Sequence, residues 1–288
     1  MKIGVRCNPL KLKNDFPALV RWLADNGFEA VDLMAPDAEA KAIVDKAGLT
    51  AGSFDAPSLQ KVITEDEGKR KEAAEKLKAE ITQASKLGLK TLFGGMMPVD
   101  KTLPRARNFE IWKTVFPGLV AHAESLGVSF AMEPYPGPAP HYPTLGCTPE
   151  MWRAMFQAIP SKALGLCYDP SHMVRLGIDC LRVLKEFGDR VTHVHAKDCA
   201  ILPEEQYCQG RLPRTFGKPR FQCSEGWWRY CVPGDGQVDW RAVVVGLVAA
   251  GYDGVVSIEL EDGLYMDDAE ANKAGLLAAK SHLKSVIR

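Results

Sequence analysis

Residues 163–198 read ALGLCYDPSHMVRLGIDCLRVLKEFGDRVTHVHAKD. Gly165–Asp169 is a short apolar run that ends on an acid, and Cys180–Glu186 spaces its apolar residues as a helix does. Thr192–Ala196 returns to a β-rich run with Lys197 and Asp198 directly behind it. Two β runs joined through a helix make a crossover unit, the connection that parallel strands require. Ionisable residues stand at or near the C-terminal tips of both runs.

The same rhythm extends in both directions. Lys2–Cys7, Ala30–Met34, Thr50–Phe54, Thr91–Gly94, Ser129–Glu133 and Val255–Leu260 read as further strands. Phe16–Asp25, Ala38–Lys46, Glu67–Lys86, Phe109–Ser125, Pro149–Ala158, Trp240–Ala249 and Asp268–Val286 read as helices. Gly27, Gly88, Gly127 and Gly251 fall where a helix hands over to the next strand, a position that favours glycine. Eight strand–helix units in order predict an α/β fold, a single (β/α)8 TIM barrel spanning residues 1–288. An open doubly wound sheet would want a glycine-rich phosphate turn after its first strand, and Cys7–Asp15 reads CNPLKLKND with no glycine. The rhythm breaks once. About 40 residues separate the seventh strand from the next helix, far beyond the usual βα loop of about 2–6 residues. This insertion, 199–238, carries Tyr207, Phe216, Phe221, Trp227, Trp228 and Tyr230, too aromatic for a disordered linker, and is expected to form an ordered lid at the catalytic end.

Composition narrows the function. The 288 residues contain 36 Lys+Arg and 36 Asp+Glu, a formal net charge of zero, which argues against a nucleic-acid partner bound through a broad basic surface. No apolar run approaches the ~20 residues of a membrane span. Arg6 and Lys11 interrupt the apolar N-terminus, so no signal peptide is read there and a cytoplasmic location is expected. None of the eight cysteines forms a CxxC pair, which leaves reduced thiols as the expectation. A small-molecule partner is expected, and homo-oligomerisation is left open.

The four final strands end on Glu133, on Asp169, on the pair His193 and His195 with Lys197 beyond, and on Glu259 with Glu261 and Asp262 behind it. Charged side chains in apolar strands are costly unless paired or bound to a metal, so four successive tips of this kind point to a site. Three carboxylates and one imidazole suit a divalent cation such as Mn2+, Mg2+ or Co2+, with Zn2+ also accommodated. His193 and His195 lie two apart, on one face of the strand, and spacing alone does not say which is the ligand.

With CYDPSH, THVHAKD and PGDGQVDW followed by GYDGVVSIELED, together with FEAVDLMAP, LGLKTLFGG and AMEPYP, the chain resembles the sugar phosphate isomerase/epimerase superfamily, the xylose isomerase-like TIM barrels. That group includes ketose 3-epimerases and inosose dehydratase. The resemblance implies metal ligands at Glu133, Asp169, His195 and Glu259, with Mn2+ as first choice. It also implies substrate contact at His172, and an acid–base pair of Glu133 and Glu259 that moves a proton beside a carbonyl through a metal-stabilised ene-diolate. The activity it implies is that of a sugar isomerase or epimerase. A lyase or dehydratase on a keto-sugar, cyclitol or 3-keto-glycoside is the alternative, and a non-catalytic sugar-binding subunit the alternative of another class. The type IV apurinic endonucleases of the same superfamily use a trinuclear zinc centre with several extra histidines, which six histidines and zero net charge do not suit. One departure concerns Lys197. The ketose epimerases carry an Arg shortly after the strand histidine, whereas here Lys197 is the only nearby cation; it joins His172 and His193 as a substrate-binding candidate. Arg211, Arg214, Lys218 and Arg220 form an acid-free stretch of the insertion that reads as either an anion contact or a solvated loop.

Overall fold

A computed structural model describes residues 1–287. Eight parallel strands close on themselves: β1 (Lys2–Arg6), β2 (Ala30–Leu33), β3 (Thr50–Asp55), β4 (Thr91–Gly94), β5 (Ser129–Met132), β6 (Leu164–Tyr168), β7 (Val191–Ala196) and, after the insertion, β10 (Val255–Ile258). The order around the barrel is β1-β10-β7-β6-β5-β4-β3-β2, so the first and last strands seal it, with Lys2 opposite Val255 and Val5 opposite Ile258. The barrel expected from the alternation is the barrel observed.

Helices α1 (Phe16–Asp25), α2 (Ala38–Lys46), α3 (Glu67–Lys86), α4 (Arg105–Ser125), α5 (Pro149–Ala158), α6 (Pro170–Leu176) and α7 (Cys180–Phe187) follow the strands in turn; α9 (Trp240–Ala249) and α10 (Ala269–Val286) complete the ring. Seven of these helices begin on an aspartate whose carboxylate accepts a backbone N–H of the first turn: Asp15, Asp37, Asp66, Asp169, Asp179, Asp239 and Asp268. Such caps satisfy donors that the helix itself leaves open and favour the positive end of its dipole. Between strands and helices lies an apolar layer that includes the stacked pair Trp112 and Phe116 and the fully buried Phe130 and Trp152. This layer fixes the strands, and so the tips that carry the polar residues.

One helix boundary differs from the sequence expectation by a full turn, and one barrel helix lies outside it. Helix α4 starts at Arg105, four residues before Phe109, because Arg105–Asn108 adds a turn with little apolar periodicity. Helix α6 was not expected at all. Its seven residues are too few for periodicity to register, although Asp169 as cap, Pro170 in the first turn and Gly177 in the left-handed region (φ 71°) are all start and stop signals.

The insertion has its own structure. Strand β8 (Asp198–Ile201) pairs antiparallel with β9 (Trp228–Cys231), placing Ile201 opposite Trp228, and α8 (Pro203–Gln209) lies between them. Cys199, Trp227, Trp228 and Tyr230 form a small apolar cluster against Val174 of α6. Asp198 anchors the base of the ribbon: it accepts from Cys199 N (2.8 Å), Val238 N (3.0 Å), Gly234 N (3.1 Å) and Trp240 Nε1 (3.0 Å).

Candidate active site

Polar side chains gather at the C-terminal ends of the strands. Arg6 ends β1 and Asp55 ends β3; Glu133 follows β5, Asp169 follows β6, Lys197 follows β7 and Glu259 follows β10. Above them opens a cavity of about 480 Å3 whose inner wall includes Arg6, Glu133, His172, Lys197, Glu259 and Glu261. Its outer wall includes Tyr135 and, from the insertion, Glu225, Trp228 and Tyr230.

Glu259 is held from three sides. Arg6 Nε donates to its Oε1 at 3.2 Å, while Lys197 Nζ and His195 Nδ1 lie 2.5 Å and 3.2 Å from its Oε2. Arg6 is itself fixed by a two-pronged pair with Asp55, at 2.9 Å and 3.1 Å, and its guanidinium lies over the Phe93 ring. Burial alone would raise the Glu259 carboxyl, but the charges of Lys197, His195 and Arg6 outweigh it and hold the group well below the usual carboxylate range. Glu133 goes the other way: burial, then the negative charge of Glu259, pushes it up. One cavity therefore holds two carboxyl groups biased toward opposite protonation states.

His172 Nε2 lies 3.3 Å from the Lys197 ammonium, which can only donate, so this nitrogen accepts and the proton sits on Nδ1, facing Tyr230 Oη at 2.6 Å. Burial and the charge of Lys197 push this imidazole down to about 3, so it is neutral. Tyr230 Oη also accepts from Arg175 Nη1 at 3.1 Å. Arg175 pairs with Glu225 at 2.6 Å and lies over the Trp228 ring at 4.3 Å, which ties α6 to the insertion.

Below the cavity floor lies a second polar layer. His193 Nε2 is 3.2 Å from Asp32 Oδ2, and Asp32 Oδ1 accepts from Ser53 N at 2.9 Å. His195 is fully buried, and neither ring nitrogen makes a well-aligned hydrogen bond although Nδ1 lies 3.2 Å from Glu259 Oε2; Asp169 Oδ2 is likewise buried without a hydrogen bond, with the Lys197 ammonium 3.3 Å away. Asp169 Oδ1 is spent on the α6 cap, accepting from Ser171 N and Oγ. Glu133 Oε1 lies 4.0 Å from His195 Nδ1. Buried orphan atoms on one imidazole and one carboxylate, beside two more carboxylates, fit a divalent cation: an oxygen-rich set with a single nitrogen. Glu133, Asp169 and Glu259 bring ligand atoms within 4.8 Å of one another together with His172, whereas His195 groups in this way with Asp32 and His193, so His172 is the geometric alternative to His195.

A family model described as Xylose isomerase-like TIM barrel matches residues 20–285. The chain belongs to that family. Inosose dehydratase from Lacticaseibacillus casei is 29% identical over 141 residues, 49% of this chain and 43% of that protein. The match thus spans less than half the length of this curated relative. D-psicose 3-epimerase from Clostridium cellulolyticum H10, solved with D-tagatose, superposes with a TM-score of 0.74 at 17% identity over 100% of both chains. The IOLI protein, solved with a zinc atom, superposes with a TM-score of 0.68 at 17% identity, covering 99% of this chain and 96% of that one. At these identities the likeness establishes the fold.

Within this xylose isomerase-like barrel, the residues singled out in the sequence occupy two levels. Glu133, His172, Lys197 and Glu259 line the cavity; Asp169, His193 and His195 are buried and do not, Asp169 lying 3.3 Å from Lys197 Nζ and His193 against Asp32. Arg211, Arg214, Lys218 and Arg220 are not in the cavity wall; Arg214 pairs with Glu205 at 3.0 Å. Sequence reading missed Arg6, Asp32, Asp55, Arg175 and Glu225. Arg6, Asp32 and Asp55 lie at or near strand tips, so the rule that found Glu133 applies to them as well. Among the described residues no helix is long and apolar enough to cross a membrane.

Proposed function

We propose that this barrel is a divalent-metal-dependent carbohydrate enzyme that removes and returns a proton on the carbon next to a carbonyl, an isomerase or epimerase. The observation that carries the reading is geometric: Glu133 and Glu259, from two different strands, line one cavity beside the buried atoms of His195 and Asp169 that make no hydrogen bond. Glu259, kept ionised by Lys197, His195 and Arg6, is suited to take the proton. Glu133, pushed up by burial and by Glu259, is suited to supply one. Neutral His172 and the Lys197 ammonium face the cavity between them and are suited to hold substrate oxygens. Glu133, Asp169, His195 and Glu259 would hold the cation. A divalent ion there would polarise the substrate carbonyl and accept two neighbouring oxygens. The oxygen-rich set favours Mn2+ over softer ions, although the zinc in the IOLI structure keeps Zn2+ in view. The eight unpaired thiols are in keeping with a cytoplasmic location.

A dehydratase or lyase is the second reading. It is favoured by the curated relative's name, inosose dehydratase, and by the same pair of groups: the acid that returns a proton to carbon can instead protonate a departing oxygen. The test is proton exchange followed by NMR in D2O with Mn2+, over ketoses, inososes and keto-glycosides. Deuterium entering beside the carbonyl is expected, and the product distinguishes epimer, isomer and elimination. Exchange that persists at the wild-type rate in both Glu133→Gln and Glu259→Gln would sink the assigned pair.

A further inference from the structure

Lys197 occupies the position that the proposed metal site needs. Its ammonium is 2.5 Å from Glu259 Oε2 and 3.3 Å from Asp169 Oδ2, two of the atoms that would bind a divalent ion. Asp169 and His195 are fully covered and do not line the cavity, whereas Lys197 does, so the ammonium lies between the cavity and the deeper donors. A divalent ion and an ammonium on the same oxygens repel strongly in a buried site. The lysine has another place to go. Glu261 Oε2, outside the donor set and on the cavity wall, is 2.9 Å from Nζ, and Glu261 is more exposed than Asp169, at 27% against 0% of its side chain. The lysine stem is flexible enough to pivot between them.

We infer that Lys197 is a built-in counter-ion for the carboxylate cluster, which yields Asp169 and Glu259 to an incoming divalent cation by giving up those contacts and keeping the one it already makes to Glu261. The inference rests on the metal-dependent reading above. It makes metal binding an exchange of cations: the empty site is neutralised from within, and the ion must displace the ammonium. In the loaded site the ammonium, held by Glu261 at the cavity wall, faces the substrate.

Mn2+ titrations of the full chain by calorimetry and electron paramagnetic resonance test this without any turnover assay, using wild type, Lys197→Met, Glu261→Gln and the double variant. Lys197→Met is expected to bind Mn2+ at least about tenfold more tightly, and Glu261→Gln several-fold more weakly than wild type. In the double variant the Glu261 penalty should vanish, because no ammonium remains to be relocated; a plain loss of negative charge would persist in both backgrounds. The metal-free Lys197→Met protein should melt lower than wild type and recover with Mn2+. Unchanged or weaker Mn2+ binding by Lys197→Met, or an equal Glu261→Gln penalty with and without the lysine, overturns the handover while leaving the metal-dependent reading in place. Absence of Mn2+ binding in all four forms, with Zn2+ titrated by calorimetry as a second ion and also unbound, overturns both.

Discussion

Glu133 and Glu259 are the same residue type at equivalent strand tips, and their neighbours make them different. Glu259 has Arg6, Lys197 and His195 against its two oxygens; Glu133 faces Glu259's charge across the cavity. Removing either carboxylate while keeping its shape, by Glu133→Gln or Glu259→Gln, is expected to lower kcat by about 10²–10⁴-fold, the usual size of a general acid–base contribution. Circular dichroism and the melting curve should show the fold retained. His172 gives a pH prediction. Its folded value of about 3 lies below the ordinary 6.5, so below pH 6.5 the unfolded chain binds a proton that the folded chain refuses. Its contribution to stability is complete above about pH 6.5 and declines as pH falls toward 3. Denaturant melts between pH 7 and 4 should show that decline, and ¹⁵N NMR should find the ring neutral with its proton on Nδ1. An imidazolium at pH 6 would contradict the hydrogen-bond assignment through Lys197.

At the scale of elements, strand tips were legible and their partners were not. Glu133, Asp169, His195 and Glu259 stand out because an ionisable group in an apolar run needs a reason. Arg6 and Asp55 carry the same signal, but what they do depends on three strands meeting, since Asp55 lies 49 positions and Glu259 253 positions from Arg6 along the chain. No local pattern encodes that meeting. The insertion shows the same division: its aromatic content argued for order, yet the β8–β9 ribbon, the Arg175–Glu225 pair and the reach of Trp228 into the cavity wall come from packing against α6. Asp198 shows why a tip acid need not be chemical: it read as part of the polar cluster and instead accepts four hydrogen bonds at the base of the ribbon. Asp198→Ala, which strands those buried donors, should cost about 1–3 kcal/mol. Hydrogen exchange should rise first across residues 199–238. Uniform loosening of the whole barrel would contradict this anchoring role.

For the whole molecule, the barrel carries its ionisable groups at one end and its apolar packing in the layer around it. A ligand at that end binds only when several strands are correctly assembled, so it reports on the entire fold. Mn2+ at about 100 times its Kd should stabilise the protein by about 2.7 kcal/mol. For a chain of 288 residues that corresponds to a rise in Tm of roughly 4–5 °C. Chelation should reverse it, and scanning calorimetry with and without the chelator is the check. An unmoved Tm at saturating ion would remove the metal from the account.

The seal between β1 and β10 has a consequence in time. Arg6 is synthesised before Glu259, and the hydrogen bond between them spans 253 positions. A nascent chain therefore extends through that whole interval with β1 lacking its β10 neighbour and an arginine destined for the interior still in water. The proposed base acquires its clamp only when that interval ends, so a protein cut short before β10 has neither a closed wall nor Glu259, and no partial product of translation can carry out the chemistry early.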